Sequence, residues 1–154
     1  MMRFLMMLVA LLFAPNVWAA QAFDVTSQRL EVLHDLGQAT FEGDVKLVYG
    51  SATMLAQKMD VFYQGEAEDP TLQKVEAVGR IKIVDGSGIA TGDKATYNPK
   101  TGTVLVTGDV VLSRDNNVVQ GESLTYNLET GDMFLNNNQN DGRVRAIFTI
   151  KGKD

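Results

Sequence analysis

The chain has 154 residues, no Cys, one His and a formal charge of −5. That length suits one domain, and the acidic balance argues against nucleic acid, whose partners carry a basic face. With no Cys and a single His, the common metal sites and nucleophile–base pairs are nearly excluded.

In chain order, the first element is Met1 to Ala19. Arg3 is its only charge, Phe4 to Phe13 is uninterrupted and apolar, and Pro15 and Asn16 break the run. Val17-Trp18-Ala19 places small residues at the −3 and −1 positions, so residues 1–19 read as a secretory signal peptide, with Ala20-Gln21-Ala22 a second cleavage option. The apolar run is short against the roughly 20 residues of a spanning helix. Residues 20–154 remain as the folded domain, one unit more acidic once Arg3 is gone. An exported domain without disulfides must hold together by burial and backbone hydrogen bonds. No Asn-x-Ser/Thr sequon occurs, so a bacterial periplasm is the simplest address.

Phe23 to Val32 carries two short alternating runs, Phe23 and Val25, then Leu30 and Val32. His34-Asp35-Leu36-Gly37 reads as a hairpin turn whose Gly supplies positive φ. Ala39 to Glu42 is the next strand, and Gly43 opens a unit that recurs. Gly79 to Tyr97 and Gly108 to Tyr126 match in register. Each has apolar residues at +2 and +4 (Ile81 and Ile83; Val110 and Leu112), Gly at +13 (Gly92, Gly121) and Tyr at +18 (Tyr97, Tyr126). The copy from Gly43 keeps Val45 and Leu47 but has Ala56 and Val61 at the later positions. Leu30 stands where Ala95 and Leu124 stand, and Val32 where the tyrosines stand. Gln64 to Thr71 is a loop insertion, because Gly43 and Gly79 lie 36 residues apart whereas Gly79 and Gly108 lie 29 apart. Asn98 to Gly102 and Asn127 to Gly131 are equivalent turns. Met133 to Leu135 is apolar, Asn136 to Asn140 is a polar loop, and Gly142 to Lys151 alternates Val144, Ala146, Phe148 and Ile150 as a last strand.

No window has a helical period. Apolar residues recur at every second position between Gly, Asn and Asp turns, which predicts an all-β protein. A period of about 30 residues, made of about four short strands, is a repeat architecture that leaves unpaired edges at both ends.

Catalytic constellations are thin. His34 sits in a turn beside Asp35, where a solvated role is expected. Gly86 to Gly92 has the wrong spacing for a dinucleotide fingerprint, and no helix follows. No cofactor or metal is implied. What remains is an apolar face: alternation puts Phe23, Val25, Val45, Leu47, Ile81, Ile83, Val110 and Leu112 on one side of their strands. That face is either an ordinary sandwich core or, where two sheets part, a bed for acyl chains. Tyr97 and Tyr126 recur at strand ends, as rings at the mouth of a groove or as edge packing.

The run GQATFEGDVKLVYGSATMLAQKMDVFY, the A-x-G-x-[IV]-x-[IV] and G-x-x-A-x-Y steps and the copies that follow resemble the periplasmic lipopolysaccharide-transport bridge proteins, the LptA or OstA-like family. The resemblance covers roughly Phe23 to Leu135. It implies a twisted, open β-jellyroll of antiparallel strands whose apolar interior shields the acyl chains of lipid A. It also implies head-to-tail protomers that link an inner-membrane-anchored jellyroll protein to the outer-membrane translocon. Carried onto this chain, Phe23, Val25, Val45, Leu47, Ile81, Ile83, Tyr97, Val110, Leu112 and Tyr126 become the lipid-binding candidates. Phe23 and Val25 face the inner-membrane side, and Met133, Leu135, Val144 and Phe148 form the interface to the next partner. Two other functions fit the pattern: a relative that keeps its N-terminal segment as a membrane anchor, and a β-solenoid enzyme acting on polysaccharide, which needs a carboxylate cluster on one face.

Overall fold

The computed structural model describes residues 23–65, 70–86, 88–137 and 142–148. The expected signal peptide, both of its cleavage options, half of the acidic insertion, most of the Asn-rich loop and the end of the expected last strand lie outside them. The described residues form one ten-stranded antiparallel sheet. Its strands are β1 (Asp24–Thr26), β2 (Arg29–Leu33), β3 (Gln38–Tyr49), β4 (Ala52–Gln64), β5 (Thr71–Asp85), β6 (Gly88–Asn98), β7 (Thr103–Arg114), β8 (Asn117–Asn127), β9 (Met133–Asn136) and β10 (Arg145–Ile147). β3 to β8 meander in chain order, each strand beside the next. β1 and β2 share one flank of β3, and β9 and β10 share the outer flank of β8. The end rungs are thus each built from two short pieces.

Each repeat contains two long strands, where alternation alone suggests four short ones. The repeat glycine is the cause. Between Glu42↔Lys58 and Val45↔Ala56, two residues of β3, Gly43 and Asp44, face one residue of β4. The same bulge recurs at Gly79-Arg80 and Gly108-Asp109. The glycines take φ of 81°, 87° and 87°, and the residues after them 45°, 47° and 44°. A bulge bends its strand and sharpens its twist. The opposite strand has no extra residue, so its inward-facing side steps by three residues: Ala56 to Met59, Gly92 to Ala95, Gly121 to Leu124. Every long strand crosses this corner and continues as part of a second wall.

Register explains the composition of the walls. On the lower wall one row of cross-strand neighbours runs Val25, Leu47, Met54, Ile83, Ala90, Leu112, Val119, Ala146. On the upper wall one row runs Leu30, Phe41, Met59, Ala77, Ala95, Val106, Leu124, Leu135, and a second runs Val32, Ala39, Val61, Val75, Tyr97, Val104, Tyr126, Met133. All three rows are apolar at every position. The second upper row contains Val32, Val61, Tyr97 and Tyr126, as the repeat alignment requires. On the outside of the upper wall, polar neighbours replace them. The Thr40 hydroxyl donates to Asp60 Oδ1 at 2.7 Å, and Lys74 Nζ lies 3.0 Å from Glu76.

The walls close on each other beside the corners. Val45, Met59, Ile81, Val106 and Val110 are each at most 1% exposed, and each such side chain contributes roughly 1.5–3 kcal/mol by leaving water. Gly92 and Gly121 serve this seam by being small. A Cβ on Gly92 would fall 2.5 Å from Val106 Cγ1, and one on Gly121 2.9 Å from Leu135 Cγ. The turn glycines act differently. Gly37, Gly102 and Gly131 have φ of 59°, 66° and 77°. Their amides donate to the carbonyls of His34, Asn98 and Asn127, and the carbonyls of Gly37 and Gly102 accept from Tyr63 and Leu128 of the following hairpin. The expected hairpin turn at residues 34–37 and the equivalence of the two Asn turns both hold.

The last strand starts later than its alternation suggests. Among the described residues of that stretch only Arg145–Ile147 pairs, with Gln120, Val119 and Val118 of β8. β9 already occupies Ser123 to Tyr126 of that strand, and Asn117 ends it at the hairpin tip. A short piece of β8 is all that remains. Val144 and Phe148 lie outside the strand and are exposed.

Candidate functional site: an apolar trough between the walls

Away from the seam the two walls part and leave a trough. Its first segment is lined by Leu47, Met54 and Ile83 below and Val75, Ala95 and Tyr97 above. Its second is lined by Ile83, Ala90 and Leu112 below and Val106, Leu124 and Tyr126 above. Ala52, Ile83, Val104 and Leu128 border both, so the two segments are continuous.

The lips are the hairpin ends farthest from the corners. The lower lip runs through Tyr49 and Ala52, then Asp85 and Gly88, then Arg114. The upper lip carries Tyr97, Tyr126 and Leu128. At the β1 end the lips are bridged by rings. Phe23 stacks on Tyr49 with centroids 4.4 Å apart and meets Tyr97 at 6.3 Å. Burial, with smaller contributions from Tyr49 and Glu129, raises the Tyr97 pKa above the ordinary phenol value, so its hydroxyl stays neutral at physiological pH. Asp85 and Arg114 are the charged residues that line the trough, both in its second segment.

The sequence-predicted residues divide cleanly. The +4 residues Leu47, Ile83 and Leu112 line the trough, Val25 continues their row, and Phe23, Tyr97 and Tyr126 stand at its lips. The +2 residues Val45, Ile81 and Val110 point the same way but are sealed in the seam. Met133 lines the second segment, Leu135 packs on the core, and Val144 and Phe148 are exposed at the β10 end. The alternation argument missed most of the upper wall: Val75, Ala77, Ala95, Val104, Val106 and Leu124. Their signal was present in the matching positions of Leu30, Ala95 and Leu124 and in the apolar triplet Val104-Leu105-Val106. It needed pairing across the hairpins to become a surface. Among the described residues no group of three or more His, Cys, Asp or Glu is arranged to hold a metal ion, and no helix is long and apolar enough to cross a membrane.

Comparison with known proteins agrees with this geometry. A solved structure of LptH from Pseudomonas aeruginosa, described as the LptA homologous periplasmic component of a lipopolysaccharide transport device, shares the fold. Its TM-score is 0.70 at 15% identity, with 84% of this chain and 96% of that one covered. An uncharacterized protein of Rhizobium meliloti (strain 1021) is 31% identical over 104 residues, which is 64% of this chain and 56% of that protein. The chain thus spans little more than half the length of that curated relative. The family described as LptA/(LptD N-terminal domain) LPS transport protein matches residues 24–132, from β1 to the turn before β9. The chain therefore belongs to the LptA/LptD N-terminal domain family of lipopolysaccharide-transport proteins.

Proposed function

We propose that this chain is a non-enzymatic periplasmic carrier that holds the acyl chains of lipopolysaccharide between its walls and bridges the inner and outer membranes. One observation carries the reading: the lower-wall row is apolar at every position from Val25 on β1 to Ala146 on β10. A hydrocarbon chain can lie along such a track, because burying apolar area contributes roughly 25 cal/mol per Å² and needs no polar recognition. Family membership supports the same cargo.

The edges support a bridge. Among the described residues β1 and β2 leave one edge of the sheet unpaired and β9 and β10 the other, and an unpaired edge is a template for another strand. If β10 of one copy joins β1 of the next in the sheet's own antiparallel order, Ala146 meets Val25 and the track continues. In this reading residues 1–19 are removed on export, an inner-membrane-anchored jellyroll partner docks at β1, and a second copy or the outer-membrane translocon docks at β9 and β10. No cofactor is needed. Depletion tests the proposal: newly made lipopolysaccharide is expected to stop reaching the cell surface and to accumulate at the inner membrane. Unchanged delivery contradicts it. Mass spectrometry of the exported protein checks the leader, and a form retaining Trp18 would indicate an anchored protein instead.

A further inference from the structure

The trough is unlike at its two ends. At the β1 end, Phe23, Tyr49 and Tyr97 bring the lips into ring contact, and the acid Glu129 acts on Tyr97. An anion is disfavoured there twice over, by the rings that close the mouth and by the carboxylate. In the second segment no ring pair bridges the lips among the described residues, and Arg114 stands on the lower one. It is the cation lining the trough, opposite the Tyr126 side, and it makes no ion pair among the described residues. Asp85 lines the same segment but already accepts from the Gly88 amide at 3.1 Å, and Asp115 follows Arg114 at the hairpin tip with φ of 54°.

The geometry points to Arg114 as the residue that binds a phosphate of the carried amphiphile. It would hold that group at the lip while the acyl chains lie along Leu112 and Ala90. This inference rests on the carrier reading and adds an orientation to it: the headgroup rides over the second half of the trough. A guanidinium suits the task because its planar fork of donors matches phosphate oxygens, and it stays charged at any physiological pH. Its place at an open lip suits a headgroup that must remain in water.

Equilibrium binding to the purified protein tests this with two probes, lipid A bearing both phosphates and the same lipid A after dephosphorylation. The wild type is expected to prefer the phosphorylated lipid. Arg114→Gln is expected to weaken that lipid about three- to tenfold, to leave the dephosphorylated lipid unaffected and to keep the same melting temperature. Arg114→Lys should restore part of the preference, and Lys82→Gln, on the outside of the lower wall, should change nothing. Equal loss for both lipids, or no loss for either, overturns the assignment while leaving the carrier reading intact. Failure of the wild type to bind either lipid overturns both. Saturation of Arg114 by inorganic phosphate alone, seen as displacement of the phosphorylated lipid, would assign the site to free phosphate and overturn the lipid source.

Discussion

The middle and end rungs of the sheet carry the same apolar rows with opposite exposure. In the middle, Met59 and Val106 are each 1% exposed; in the same row at the N-terminal edge Leu30 is 54% exposed. In the other upper row, Val75 is 9% exposed and Met133 at the C-terminal edge is 45%. The side chains are similar, and among the described residues no further strand lies beside the end pieces. Among the described residues, end exposure on this sheet is therefore a vacancy in the row.

Opposite substitutions in the two regions break that comparison most sharply. Val110→Asp buries a carboxylate in a wholly closed seam and is expected to cost about 3–5 kcal/mol. Leu30→Asp places the same charge on an exposed row end and should stay within about 0.5–1 kcal/mol. Urea unfolding measures both, and similar losses would contradict the distinction. A milder pair sharpens it: Met59→Ala should cost about 2–5 kcal/mol through lost burial and a cavity, against less than about 1 for Met133→Ala.

The corners should respond next. Gly108 sits at φ 87°, and a Cβ there would run into the Asp93 side chain. Gly108→Val is expected to cost about 1–3 kcal/mol by straining the bulge, whereas Gly86→Ala, with open space around it, should cost little. The smallest effect on stability belongs to the edge. Phe134→Glu, at a residue 68% exposed on β9, should leave the urea midpoint within about 0.5 kcal/mol. Light scattering across a concentration series should nonetheless show less self-association. Unchanged self-association would remove that edge from the bridge.

The limits of the sequence pattern follow from the same corners. The repeat glycines, the paired turns and the apolar rows were legible, because Gly43, Gly79 and Gly108 recur with apolar residues two and four positions on. Strand continuity was not. The three-residue step from Ala56 to Met59 or from Gly92 to Ala95 slips the alternation by one position and looks like a turn. Nor could periodicity separate Ile81 from Ile83. Both are apolar and face the same way, but one lies beside the bend where the walls converge and the other where they part. Gly142 to Lys151 alternated convincingly, yet how much of it pairs depends on how much of β8 is left free, which is a tertiary fact.

The central claim is that cargo lies inside the trough, and adjacent residues on opposite faces of β5 test it. Ile83 lines both trough segments, and Lys82 before it is exposed on the other face. A photo-crosslinking residue placed at each position in turn, in cells making lipopolysaccharide, is the most direct measurement. The account predicts lipid adducts at position 83 and none at 82. Equal adducts at both would contradict it.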